Sequence, residues 1–241
     1  LEAFNARFVP YFGSSDNLVF VEGIIGVPSV ALINWDDAYI HSSDDDLGNI
    51  DQTQLQRNNF IVGAMALYLA YAEAKDIPVL AAETHAQGGR RMANDMHAAL
   101  QLLNAGDNWA DAHLMIEQGS LRERRALNSM RVVAGNDAAA NKTIDTFLAS
   151  VDTREKQLLG ELSTFYVNKY GNPPLLKMSA AETEASKKVP SNIESMDEYF
   201  TKRRNVPTGL HSLMRGETMS FVDGKRSYFD IYKAVKAESL A

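Results

Sequence analysis

Hydrophobic positions follow a helical period over most of the chain. The clearest case is residues 50–76, where apolar side chains recur at helical spacing: Leu55, Val62, Met65, Ala66, Leu69 and Ala72. Asp51 occupies the N-cap position and Gln54 stands three residues later, which is a capping-box pattern. Pro78 follows the expected end near Lys75. The pattern therefore predicts one long helix over this stretch.

One shorter segment has the pattern of a buried strand. Val27 to Asn34 is a continuous apolar run of strand length, typical of a strand covered on both faces of a mostly parallel sheet. After Pro78 the pattern is helical: Val79 to Leu103 with a break at Gly88-Gly89, then helix starts at capping-box patterns that open at Ser120, Asp152 and Ser227. We therefore predict an α/β segment over residues 1–77, followed by a mainly α-helical domain over residues 78–241.

Composition bounds the class of protein. The chain has 241 residues, of which 45% are hydrophobic and 23% are charged, as in one large globular domain or two small ones. It contains no run of 18 apolar residues, so no membrane span is predicted. It contains no cysteine, which excludes disulfides and thiolate metal sites and leaves the compartment open.

The net charge of -7 is concentrated in the first segment. Residues 1–77 contain 11 acidic and 3 basic side chains, whereas residues 78–241 contain 20 acidic and 21 basic ones. An acidic surface suits a metal cation or the amino terminus of a peptide better than a nucleic acid. The basic clusters of the helical part are flanked by acidic residues, so no nucleic-acid partner is predicted.

Four short motifs occur in order within the first segment. They are Gly13-Ser14-Ser15-Asp16 with Phe20, Gly26-Val27-Pro28, His41-Ser42-Ser43-Asp44-Asp45, and Ile50-Asp51. Together they resemble the C-terminal end of the catalytic domain of the M28 family of zinc peptidases. The resemblance covers about the first third of the chain and implies a three-layer α/β/α domain, of which only the C-terminal part would be present.

The resemblance implies that His41 is a zinc ligand. Independently, His41 follows a predicted buried strand, and open α/β sheets bind ligands at the ends of strands. The intact catalytic domain of the family holds two zinc ions. Its other ligands and its general base would lie upstream of Leu1, so this chain is expected to contain no catalytic base and to be part of a longer protein.

Other residues of the motifs have roles that the resemblance suggests. Asp16 and Asn17 would lie at the substrate pocket, while Asp44 and Asp45 would fix the loop and hydrogen-bond toward the His41 ring.

Many relatives place a tyrosine immediately before the zinc-binding histidine, where its hydroxyl stabilises the oxyanion. This chain has Ile40 there. Tyr39 would point to the same side as His41 in an extended segment, so it is a candidate oxyanion stabiliser, with packing at the domain edge as the alternative. The remaining histidines are interpreted as ordinary helix residues: His85, His97, His113 and His211.

These observations predict the C-terminal portion of a zinc-dependent exopeptidase. The resemblance implies a peptide substrate and favours an aminopeptidase over a carboxypeptidase. It also implies a periplasmic or extracellular location. The chain alone is expected to be inactive without the upstream residues. The alternative is a non-catalytic helical module for interaction or dimerisation that retains a remnant of the peptidase fold, and a homodimer through the helical domain fits either hypothesis.

Overall fold

The computed structural model describes residues 17–21, 25–27, 29–33, 37–190, 195, 197–198, 201, 214, 217–218 and 220–240. The helices with described bounds are α1 (Asn17–Val21), α2 (Gln52–Ala70), α3 (Ile77–Ala105), α4 (Trp109–Ser129), α5 (Arg131–Ala134), α6 (Ala138–Tyr170), α7 (Ala180–Ala185) and α8 (Tyr228–Leu240). Short 3-10 helices at Leu47–Asn49 and Ala74–Asp76 precede α2 and α3. Among the described helices, none combines the length and the apolar character that crossing a lipid bilayer requires.

The described residues form helices, turns and loops without any strand, so the predicted α/β/α fold of the first segment is wrong. Residues 27 and 29–33 of the predicted strand Val27–Asn34 have no regular secondary structure, and the remaining two lie outside the described residues. An apolar run becomes a strand only where neighbouring strands pair with its backbone N–H and C=O groups. The described part of the chain offers no such neighbour, and it is mainly helical throughout.

Helix α2 begins where the sequence predicts. The Asp51 carboxylate accepts hydrogen bonds from the backbone N–H groups of Thr53 (2.8 Å) and Gln54 (3.1 Å), which confirms its N-cap role. The helix ends at Ala70, earlier than predicted, because the chain starts a new element: the Glu73 N–H donates to the Asp76 carboxylate at 2.9 Å. None of the nineteen described residues of α2 is buried.

Helices α3, α4 and α6 pack against one another and form a three-helix bundle. Their buried side chains are mainly aliphatic, with one face of each helix contributing: Ile77, Ala81, Met92, Ala99 and Leu103 from α3, Ala112, Met115, Ile116 and Leu127 from α4, and Ile144, Val151, Leu158 and Leu162 from α6. Full burial of an isoleucine, leucine, valine or methionine side chain contributes roughly 1.5–3 kcal/mol. This core is the main source of stability in the described part of the chain.

The three bundle helices are longer and more continuous than the sequence predicts. Helix α3 passes through Gly88-Gly89 without a break, and Ser120 and Asp152 lie inside α4 and α6 rather than at helix starts. Ser120 is buried, and its hydroxyl donates to the Ile116 carbonyl at 2.8 Å instead of capping a helix. Packing of the apolar faces therefore overrides these local start and stop signals.

Charged side chains cross the interface between α3 and α4. Glu123 of α4 is 2% exposed and accepts hydrogen bonds from Arg91 of α3 at 2.9 and 2.6 Å and from Arg122 at 2.7 Å. Arg122 also donates to Asp95 of α3 at 2.8 Å. Burial alone would raise the pKa of Glu123, but the two guanidinium groups outweigh it and hold that pKa below its ordinary value. Burial dominates at Asp95 and raises its pKa.

Ion pairs also connect α4 with α6. Arg124 donates to Asp152 at 2.6 Å and also bonds to Glu155.

Two glycines allow α3 and α4 to approach each other beside the carboxylates of Glu123 and Asp95. A Cβ atom at Gly88 would meet the Glu123 carboxylate at 2.7 Å, and one at Gly119 would collide with the Asp95 carboxylate.

The C-terminal end of α3 is closed by the last turn of α6. The Lys169 ammonium donates to the carbonyl oxygens of Leu103 (3.0 Å) and Asn104 (3.2 Å), and the Tyr170 hydroxyl donates to Leu103 at 2.5 Å. The last carbonyls of a helix have no partner within the helix. Here α6 supplies those partners.

The chain divides into two compact units. One comprises Leu32–Leu175 with Ala241 and contains the bundle, and the other comprises Leu1–Ala31 with Leu176–Leu240. In the second unit α7 contacts α8, and the Tyr228 N–H donates to the Lys188 carbonyl at 3.0 Å. Helix α8 begins after Ser227, as predicted, with the Ser227 hydroxyl and the Asp230 carboxylate hydrogen-bonded at 2.7 Å. The domain boundary near residue 77 stays a prediction.

Candidate functional site

The loop between residues 37 and 51 presents His41 to solvent. Ser42 closes a turn around it, because its N–H (2.9 Å) and its hydroxyl (2.6 Å) both donate to the Tyr39 carbonyl. The Tyr39 N–H donates in turn to the Asp37 carboxylate at 2.9 Å. Within this turn His41 has a φ of 61°, in the left-handed region that few non-glycine residues adopt. These hydrogen bonds therefore fix the backbone of the turn from which the His41 side chain projects.

Polar side chains also fix the loop downstream of His41. The Asp44 N–H donates to the Ser42 hydroxyl at 3.1 Å, and the Asn49 side-chain amide donates to the Asp44 carbonyl at 2.6 Å. The Asp46 carboxylate accepts from the Gly48 N–H at 2.8 Å and caps the 3-10 helix. The loop is thus held from both sides, although every residue from 38 to 50 is exposed.

The residues that hold this loop are partly those that the sequence indicates. The hydrogen bonds described for Asp44 and Asp45 run through their backbone. The carboxylates that accept backbone N–H groups belong to Asp37, Asp46 and Asp51. Asp37, Ser42 and Asn49 were not singled out for this role, although aspartate, serine and asparagine in such a polar stretch are typical of side-chain-closed turns.

The predicted placement of Tyr39 on the same side as His41 requires an extended backbone, which residues 39–42 do not have. Residues 39–42 form a turn, so the alternation of side chains along a strand does not apply to them. The Tyr39 side chain is exposed. A role for Tyr39 in oxyanion stabilisation stays a prediction.

Of the two predicted substrate-pocket residues, the described one, Asn17, belongs to the other unit. Asp16 lies outside the described residues. Asn17 is the first residue of α1 and is half-buried, and its side-chain carbonyl oxygen Oδ1 is buried without a hydrogen-bond partner in the described part of the chain. A buried acceptor without a donor costs free energy, so a donor from a ligand or from further polypeptide would stabilise this position.

The described residues do not form a zinc site by themselves. A catalytic zinc requires three protein ligands and an open position. Within the described ranges no group of three or more histidine, cysteine, aspartate or glutamate side chains is arranged to hold a metal ion. His41 offers one imidazole donor, which does not fit the requirement, and no catalytic step through zinc follows from this chain alone.

The other described histidines make contacts within the bundle. His85 Nε2 and the Ser150 hydroxyl lie 2.9 Å apart, and the His85 ring lies 5.0 Å from the Phe147 ring. His97 Nε2 lies 3.1 Å from the side-chain amide of Gln101 on the same helix. His113 contacts Trp109 edge-on, with ring centroids 5.8 Å apart. His211 lies outside the described residues.

No family model, curated protein or solved structure matches this chain.

Proposed function

We propose that this chain is the C-terminal portion of a zinc-dependent exopeptidase, an aminopeptidase in preference to a carboxypeptidase, and that His41 is one of its zinc ligands. Under this proposal the other ligands and the general base come from polypeptide upstream of Leu1. The substrate is a peptide, and the intact catalytic domain holds two zinc ions. The 241-residue chain alone does not hydrolyse peptides.

The observation that carries the proposal is the combination of an ordered His41 turn with uncovered apolar elements on both sides of it. Upstream, Val30, Leu32 and Ile33 are exposed. Downstream, α2 exposes seven large apolar side chains along its length: Leu55, Phe60, Val62, Met65, Leu67, Tyr68 and Leu69. Elements of this kind are expected at the edge of a larger domain whose remaining residues cover them.

Covering these apolar side chains would release a large amount of free energy. Covering a half-exposed side chain of this size contributes roughly 1 kcal/mol, about half of the value for full burial. Seven such side chains on one helix amount to several kcal/mol, comparable with the net stability of a whole domain. An apolar surface of this extent indicates an interaction site on the native protein.

The left-handed backbone at His41 also supports the proposal. Residues held in sparsely populated backbone conformations cluster at functional sites. Here four hydrogen bonds, to Tyr39, Ser42 and Asp37 groups, keep an exposed histidine in such a conformation.

The test is zinc content and aminopeptidase turnover of the longer parent protein, with His41→Ala as the variant. His97→Ala is the matched control, because His97 is also exposed but lies on a bundle helix. We expect about two zinc ions per parent chain, and loss of zinc together with activity in His41→Ala only. Unchanged zinc and turnover in His41→Ala would refute the role of His41, and peptidase activity of the 241-residue chain alone would refute its predicted inactivity.

The exposed apolar side chains of α2 also favour a second candidate function, a non-catalytic interaction module. In that case another protein, rather than a catalytic domain, would cover the apolar residues. The same experiment separates the two functions. A parent protein without zinc and without turnover would support the module.

A further inference from the structure

A cavity of about 290 Å³ lies between α3, α4 and α6 of the bundle. It is far along the chain from the His41 loop and plays no part in the proposed peptidase function. At about 30 Å³ per liquid water molecule, its volume equals that of about ten waters. A ligand of about ten non-hydrogen atoms would therefore fill it.

Two adjacent glycines form part of the cavity wall. Gly88 and Gly89 of α3 both line the cavity. A Cβ atom at Gly89 would meet no described atom within 4 Å, so a larger side chain there would extend into open space. The aliphatic surface is supplied by Met92, Leu127 and Val151, all of which are buried. This part of the cavity suits an apolar group.

Polar groups line the side formed by α3 and α6. His85 and Ser150 form their 2.9 Å contact there, so each already has one partner. Arg154 of α6 also lines the cavity, and its side chain is 42% exposed. Its carboxylate partner Glu161 is 3.9 Å away, at the limit of an ion pair. The Arg154 guanidinium therefore retains donors that a ligand can use.

The charge balance favours an anion. Glu123 is the acidic residue among the described lining residues, and its carboxylate is already neutralised by Arg91 and Arg122 at 2.6–2.9 Å. A ligand entering the cavity therefore meets the loosely paired cation of Arg154. Arginine presents its donors as a planar fork that matches a carboxylate in a bidentate pair.

We propose that this cavity binds a small organic carboxylate with an aromatic or branched aliphatic body. The carboxylate pairs with Arg154, and the apolar body contacts Met92, Leu127 and Val151 above the two glycines. Inorganic phosphate is a poorer fit, because it would leave this aliphatic surface uncovered.

The test is an NMR titration of the isotopically labelled 241-residue chain with phenylacetate. Phenethyl alcohol, which lacks the charge, and inorganic phosphate, which lacks the apolar body, are titrated in parallel. We expect saturable shifts with phenylacetate at millimolar concentration, centred on residues of the cavity. Binding of the alcohol should be weaker by about tenfold or more, because it loses the charge-assisted hydrogen bonds.

Two variants locate the site. Gly89→Leu fills the cavity with a good helix former and should abolish binding, while Arg154→Gln should weaken phenylacetate about tenfold and leave the alcohol unchanged. Gly160→Leu is the matched control, because Gly160 lies in α6, outside the cavity lining, and also faces open space. Helix content of each variant is checked by circular dichroism.

Several results would overturn the proposal. Absence of saturable shifts with phenylacetate would refute the site itself. Undiminished binding to Gly89→Leu would refute its location. Equal affinity for phenylacetate and for either the alcohol or phosphate would refute the carboxylate as the chemical class of ligand.

Discussion

Gly88 and Gly89 are consecutive residues of α3, but their surroundings in the folded chain differ. Gly88 is buried beneath the Glu123 carboxylate, whereas Gly89 is exposed. Glycine in a helix interior costs about 0.8–1 kcal/mol relative to alanine. At Gly88 this cost is the condition for the close approach of α4. At Gly89 no neighbouring atom approaches closely, and the glycine borders the open cavity instead.

Replacing each of the two glycines by alanine is predicted to change the stability of the chain in opposite directions. Gly89→Ala should stabilise the chain by about 0.5–1 kcal/mol, because it only improves helix propensity. Gly88→Ala should destabilise it by about 1–2 kcal/mol, because overpacking displaces Glu123 from its arginine partners. Urea unfolding monitored by circular dichroism measures both changes. If both variants shift stability in the same direction, the close contact at Gly88 has no energetic weight.

At the scale of single elements, α8 contains a carboxyl group with an unusual titration. Partial desolvation of Glu238 and the adjacent charge of Glu217, which shares a hydrogen bond with it, raise the pKa of Glu238 to about 7. The ordinary pKa of this group is 4.5. The folded chain therefore binds more protons than the unfolded chain between these two pH values.

This difference predicts that folding stability falls as pH rises. The contribution of Glu238 is fully present below about pH 4.5 and is lost as pH passes through about 7. Its size should stay under about 1 kcal/mol, because Glu238 is only partly desolvated and the remaining solvent contact screens the repulsion. The free energy of unfolding is measured at a series of pH values. Its decrease with rising pH should be smaller in Glu238→Gln than in the unmodified chain. The control Glu161→Gln, an exposed carboxyl on α6, should keep the slope of the unmodified chain, and an equal slope in all three proteins would contradict the coupling.

Helix starts that depend on local chemistry can be read from the sequence. Asp51 and Ser227 cap their helices through bonds that span at most three residues, and both predictions are confirmed. Helix interiors depend on distant contacts. Ser120 and Asp152 have the same local pattern, but packing of α4 and α6 across the core places them inside continuous helices.

The apolar run at residues 27–34 fails as a strand for a related reason. Its composition is compatible with a strand, but strand formation needs pairing partners that composition cannot reveal. The His41 loop is an intermediate case. Its exposed acidic character can be read locally, whereas the left-handed turn at His41 depends on which of Asp37, Ser42 and Asp44 bond to which backbone groups.

At the scale of the whole molecule, helix α2 exposes large apolar side chains along its length. We expect the purified chain to self-associate in a concentration-dependent way through α2, since this burial is favourable by several kcal/mol. Sedimentation velocity over a range of concentrations measures it. The double variant Phe60→Ser with Leu67→Ser should shift the chain toward monomer.

The same double variant should change the free energy of unfolding by less than about 0.5 kcal/mol, because neither side chain is buried. Val132→Ser is the control, since Val132 is 88% exposed but stands on α5 away from the apolar series of α2. A chain that stays monomeric at all concentrations, or that associates equally in the double variant, would contradict a role for this helix.

The bonds from Lys169 and Tyr170 to the end of α3 have a consequence for biosynthesis. Leu103 and Lys169 are 66 residues apart, and a ribosome adds about 5–20 residues per second. The end of α3 therefore waits roughly 3–13 seconds for its partners. During that interval α3 and α4 can form their arginine–carboxylate bonds, whereas the apolar faces that α6 covers in the folded chain have no partner from it. Because the last turn of α6 supplies these partners, the end of α3 can be completed only after residue 170 has been synthesised.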